Sequence, residues 1–139
     1  MEPLAGGRVR YLISLLEGGG LELQAKIDKI FAGLPGLDGR AAHMLADDLQ
    51  GAAKEQKFEL FFELLADTLA RLIRAEATGE GRAADIAAAN RLIGAARLAT
   101  FAELWETLAR DKADAAALNL DRKSLILATL SRLDAASRA

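Results

Sequence analysis

The sequence predicts an all-α protein, a bundle of about six to seven helices, and three observations carry that reading. First, apolar residues recur at three- and four-residue steps through most of the 139 residues, which is the period of a helix face. Second, alanine and leucine dominate while valine is scarce, so intrinsic preference runs with helix and against sheet. Third, glycine and proline cluster between the periodic stretches, at Gly18-Gly19-Gly20, Pro35-Gly36 and Gly79-Glu80-Gly81, where they would end helices.

The longest uninterrupted pattern is Gln56 to Ala77, with Phe58, Phe61, Phe62, Leu65, Leu69, Leu72 and Ile73 on one face. Leu60 and Leu64 widen that face, so this helix is expected to have neighbours on more than one side. It is the predicted centre of the bundle, and it holds three of the five phenylalanines. Its charged residues fall mostly off that face. Glu63 and Asp67 repel one turn apart, while Asp67 and Arg71 form a favourable i,i+4 pair. Paired carboxylates do acid–base work only in a desolvated cleft, so a solvated face is preferred here.

From the start of the chain, Arg8 to Glu17 reads as a short amphipathic helix with Val9, Leu12, Ile13 and Leu16 on one side. The glycine triplet ends it. No Lys-Ser or Lys-Thr follows, so a phosphate-binding P-loop is excluded. Leu21 to Leu34 is the second helix, with Leu23, Ile27, Ile30, Phe31 and Leu34 in register. Asp38 is positioned to cap a third, Arg40 to Leu49, with Ala41, Met44, Leu45 and Leu49 inward. That helix carries the only histidine, His43, with Asp47 one turn on and Asp48 beside it. Such a group could serve a small helical metal protein or enzyme. A zinc or di-iron site needs three or four ligands, however, and there is no second histidine, so a solvated histidine is the preferred reading.

Gly51-Ala52-Ala53 links to the central helix, and Thr78 to Gly81 is the clearest turn. Ala83 to Leu98 follows as a helix with Ile86, Ala89, Leu92, Ile93 and Ala96 inward. Thr100-Phe101-Ala102-Glu103 has the pattern of a capping box and is predicted to launch Phe101 to about Leu118. Trp105 shares the period of Leu108 and is read as a core anchor in preference to an interface anchor. Asp121 caps the last helix, Arg122 to Ala135. Its apolar positions, Leu125, Ile126, Leu127, Leu130 and Leu133, outnumber what one neighbour requires. A surplus of that kind points to a partner chain. Residues 136–139 are expected to fray.

Composition limits the function classes. The formal net charge of −2 gives no general electrostatic footprint for nucleic acid, although Arg91, Arg97, Arg122 and Lys123 could each touch a phosphate. No cysteine is present, which excludes a disulfide framework and fits a reducing cytoplasm. No apolar run reaches the ~18 residues of a membrane span. The opening MEPLAGGRVR has no apolar core behind a basic leader and reads as a start placed ahead of internal sequence. No catalytic signature and no cofactor motif occurs, so the chain is not read as an enzyme.

Three stretches go further. GGLELQAKIDKIFAGLPGLD, then KFELFFELLADTLARLIRAE, then Trp105 followed by LNLDRKSLILATLSRL, resemble the C-terminal collar region of DNA polymerase III delta-prime subunits, from the bacterial clamp loader. In that family an Asn-x-Asn/Asp turn precedes a leucine-rich closing helix. Asn119, Asp121, Leu125, Leu127 and Leu130 match it, and Trp105 stands where an aromatic residue is common. AGGRVRYLISLLEGGG is similar to the last helix of the AAA+ lid, often Gly-Ser-x-Gly-Arg-Ala-Leu. Gly6, Arg10 and Leu12 match, while Gly7 and Val9 depart from it, so no nucleotide-sensing role is carried to Arg10.

The resemblance implies that residues 1–20 are a remnant of the AAA+ lid and residues 21–139 a collar-like oligomerisation domain. It implies assembly with the gamma/tau and delta subunits through their C-terminal domains, in a complex that loads the sliding clamp onto primed DNA for the replicative polymerase. Contact with DNA would be indirect and no cofactor would be bound by this region. The expected subunit interface uses the later helices, through Phe101, Leu104, Leu125, Ile126 and Leu130. A stand-alone helical adaptor is the alternative.

Overall fold

The computed structural model describes residues 20–49, 55–118 and 121–138. The predicted helix at residues 8–17, the linker at residues 51–53 and Asn119 lie outside the described residues. Every regular element among those described is helical: α1 (Gly20–Gly33), α2 (Gly39–Leu49), α3 (Glu55–Thr78), α4 (Ala83–Leu92), a 3₁₀ turn (Ala95–Arg97), α5 (Leu98–Leu118) and α6 (Arg122–Arg138). Gly20, the third glycine of the triplet, is already the first residue of α1 and is buried.

α3 is the centre, as its wide apolar arc predicts. It packs against α1, α2, α4 and α5. Phe58, Leu60, Phe61, Phe62, Leu64, Leu65, Leu69 and Leu72 are all buried. Phe61 and Phe62 meet edge to face at 5.3 Å, and Phe58 lies 5.1 Å from Phe62. One polar residue on this helix is buried too: Thr68, whose hydroxyl accepts a hydrogen bond from the Gln24 side chain of α1 at 3.1 Å. That bond removes the penalty an unpaired buried hydroxyl would carry.

Local chemistry explains most helix ends. Leu23, Ile27 and Phe31 recur every four residues along the buried side of α1. Asp38 caps α2 as expected, its Oδ1 accepting the backbone N–H groups of Arg40 at 3.0 Å and Ala41 at 3.3 Å. α3 ends where Gly79 adopts a φ of +74°, a left-handed conformation that glycine reaches without steric cost. Its N–H bonds to the Ala75 carbonyl at 2.8 Å. Asp121 starts α6: Ser124 Oγ donates to its carboxylate at 2.6 Å, and this bond leads the contacts that hold the Asp121 carboxyl below its usual pKa.

The segment from residue 83 to 105 departs from the sequence reading. The helix expected to run to Leu98 stops at Leu92, because Gly94 turns the chain with a φ of +59°. The 3₁₀ turn then feeds α5, which begins at Leu98. Thr100 and Glu103 therefore lie inside a helix, and their capping-box pattern starts nothing. Ala96, expected inward, is exposed, since it falls after the break in register. Met44, also expected inward, is 60% exposed, and Ala42 takes the inward position on α2.

The C-terminal end is firmer than expected. α6 continues to Arg138, with Ala136 and Ser137 buried. It packs on α2 and α5, bringing the last helix back onto the second described one. Two polar contacts fasten that closure. Lys123 pairs with Asp47 at 2.7 Å, and Asp134 Oδ1 accepts the backbone N–H groups of Gly36 at 2.8 Å and Leu37 at 3.3 Å.

Candidate interaction surfaces

The residues expected at a subunit interface are mostly core. Phe101, Ile126 and Leu130 have no exposed surface and Leu104 is buried. Only Leu125 is half-buried. Much of the apolar surplus of α6 is taken up within the chain, where α2 and α5 pack on it, while Leu125 and Leu127 stay half-buried. The sequence showed how wide the face was, and the tertiary contacts show that two neighbours pack on it.

The remaining candidate residues are also accounted for individually. His43 is exposed, and Asp47 and Asp48 are engaged by Lys123 at 2.7 Å and Lys26 at 3.3 Å. Among the described residues no three acidic or histidine side chains gather as a metal would require. The four basic residues considered for phosphate contact are distributed among internal tasks. Arg91 donates to the carbonyls of Phe31, in the last turn of α1, and of Leu34, just past it. Arg97 reaches the Leu92 carbonyl at 3.5 Å, and Arg122 stacks over the Phe58 ring at 5.3 Å. Lys123 holds Asp47. No basic stripe results from these four.

Two surface features stand out. The first is Trp105, which corrects the expectation of a core anchor. Its ring is 40% exposed, while its indole Nε1–H donates to the Ala66 carbonyl of α3 at 3.2 Å. Lys112 lies 4.0 Å from Glu63, seven residues on along α5 and three back along α3, so the two helices run antiparallel. Ala66, Ile73 and Leu98 are partly buried against the core. The hydrogen bond fixes the indole, so a partner stacking on it has little side-chain entropy left to remove.

The second feature is a groove of about 440 Å³ between α1 and α2. Ile30, Leu37, Ala41, Met44 and Leu45 supply its apolar lining. Lys26, Lys29, Asp38 and Asp48 supply its charge. Leu45 is buried beneath it, whereas Met44 stands exposed. The loop at one end of this groove is clamped from two directions. Arg91 holds the Leu34 carbonyl and Asp134 the N–H groups of Gly36 and Leu37. These contacts are separated by 57 and 98 residues and have no local sequence signal.

Among the described residues no helix is long and apolar enough to cross a membrane. No protein-family model matches the chain, and neither a curated protein nor a solved structure matches it.

Proposed function

We propose that this chain is a protein–protein assembly domain, and specifically the collar-like oligomerisation domain of a delta-prime-type clamp-loader subunit. The observation that carries the assembly reading is Trp105, a surface aromatic ring held by the hydrogen bond of its indole to Ala66. Tryptophan in that setting is the residue type most enriched among binding hot spots. The specific reading rests on the sequence resemblance of the three long stretches and on the turn that leads through Asp121 into α6. An all-helical bundle suits it, because broad helix faces supply apolar area and rim charges select the neighbour.

In this reading the partners are the gamma/tau and delta subunits, through their C-terminal domains. The domain works in the cytoplasm, has no catalysis or cofactor of its own, and meets DNA only through the complex. Residues 1–20 are then what is left of the preceding AAA+ lid. Light scattering tests it, on the chain alone and mixed with the collar domains of the other subunits from the same source. A defined mixed complex that Trp105→Ala abolishes is the expected result. A chain that forms no mixed complex at micromolar concentration is instead a stand-alone adaptor, the second reading that an exposed Trp105 favours.

A further inference from the structure

We propose that the seam between α3 and α5 is a self-complementary docking surface, on which a second copy of this chain packs about a two-fold axis beside Trp105. The proposal rests on the reading of Trp105 as an assembly anchor and is independent of the clamp-loader reading.

Two contacts locate the seam. Trp105 Nε1 donates to the Ala66 carbonyl at 3.2 Å, and Lys112 lies 4.0 Å from Glu63. On α3, Glu59, Glu63, Ala66, Ala70 and Arg74 follow one another at three- and four-residue steps, so they share one helix face. On α5, Ala102, Trp105, Ala109 and Lys112 do the same. All of these are exposed or half-buried, whereas Leu65 and Leu69 of α3 and Leu104 and Leu108 of α5 are buried. The two faces therefore adjoin at the surface. Alanines stand next to Trp105 and Ala66 along both faces, so the indole, 40% exposed, is the one large apolar group at the middle.

Charge is laid out along the seam with opposite signs on either side of that middle. Glu59 lies about 10 Å before Ala66 along the α3 axis and Arg74 about 12 Å after it, at ~1.5 Å per residue. Both side chains are exposed, and neither has a partner among the described residues. A surface of this kind matches itself when turned over. A two-fold axis beside Ala66 and Trp105 sets the two α3 helices antiparallel, and Glu59 of each copy then meets Arg74 of the other. The two Glu59 carboxylates stay ~21 Å apart, more than two Debye lengths at physiological salt, so their repulsion is screened. In a parallel arrangement Glu59 would face Glu59 and Arg74 would face Arg74, and the same charges would oppose docking.

Size sets the strength. From Glu59 to Arg74 the seam is about 22 Å long, and two helices side by side are ~20 Å across. The footprint is then roughly 450 Å² per copy and ~900 Å² for the pair, which falls among weak, transient interfaces. The association is micromolar and salt-sensitive, a dimer in equilibrium with a folded monomer.

Sedimentation equilibrium of the full chain alone tests it, from about 1 to 200 μM at low and at high salt. The expected result is a monomer–dimer equilibrium that weakens with salt and is lost in Trp105→Ala. Glu59→Arg and Arg74→Glu should each weaken the dimer by about tenfold, and the double variant should regain it, because the pair is restored with its signs exchanged. Both positions are exposed, so circular dichroism should show unchanged helicity in all three. A double variant as weak as its two single changes combined overturns the proposal. So does a chain that stays monomeric at ~200 μM; if that monomer still forms a mixed complex with the other collar domains through Trp105, the assembly reading stands without this proposal. Indifference of both the dimer and the mixed complex to Trp105→Ala overturns the two together.

Discussion

Asp134 holds Gly36: a carboxylate in the last helix accepts a backbone N–H at 2.8 Å from the turn between the first two helices, 98 residues away. The same oxygen accepts the N–H of Leu37, and the other oxygen receives Arg138 at 3.2 Å. The Gly36 bond is the largest cause that holds the Asp134 carboxyl below its usual pKa, with Arg138 adding to it against the opposing effect of burial. This one side chain joins the last helix to the turn between α1 and α2.

Asp134→Ala should therefore destabilise the protein by about 1–2 kcal/mol, read by urea unfolding at neutral pH. The pH dependence has a definite sign. A carboxyl whose folded pKa is depressed contributes stability that is fully present above the unfolded value of ~3.9 and disappears as pH falls through the folded one. The gap between wild type and Asp134→Asn should be constant from neutral pH down to about 5 and narrow below ~4. A gap that widens on acidification would show that Asp134 does not bind as a carboxylate.

Ile126→Asp and Leu130→Asp should collapse the fold. Both side chains have no exposed surface, and an unpaired carboxylate there costs several kcal/mol. Far-UV circular dichroism would show lost helicity. Had these residues formed a subunit interface, as the sequence suggested, helicity would survive and only association would fail.

Phe62→Ala should cost about 3–5 kcal/mol, since Phe62 is buried and its ring touches both Phe58 and Phe61. Chemical denaturation measures it. Phe58→Ala additionally removes the platform under Arg122 and should couple with Arg122→Ala in a double-mutant cycle, by roughly 0.5–1 kcal/mol.

Trp105→Ala should leave helicity intact, because a ring 40% exposed contributes only part of its area to the core. Association with a partner chain should weaken by ~2 kcal/mol or more, about thirtyfold, if the indole is the anchor. Trp105 is the only tryptophan, so its fluorescence reports directly. Emission should shift to the blue when a partner excludes water from the ring, and an unshifted spectrum in a formed complex would place the interface elsewhere.

Much of this molecule was determined by sequence alone. The helical period selected the fold class, and the breadth of the Phe58–Leu72 face marked α3 as central. Asp38, Gly79 and Asp121 marked helix ends, because caps and left-handed turns act within a few residues. What only the tertiary structure decided is what covers each apolar face. Periodicity measures how wide a face is and carries no information about its neighbour, so Ile126 and Leu130 pointed equally well to a core and to an interface. Trp105 had the period of a core residue and lies at the edge of the packed face. Thr100 and Glu103 satisfied a local rule that the turn at Gly94 had already superseded. The clamps from Arg91 and Asp134 span most of the chain. Such contacts are set by packing, and packing is a property of the whole fold.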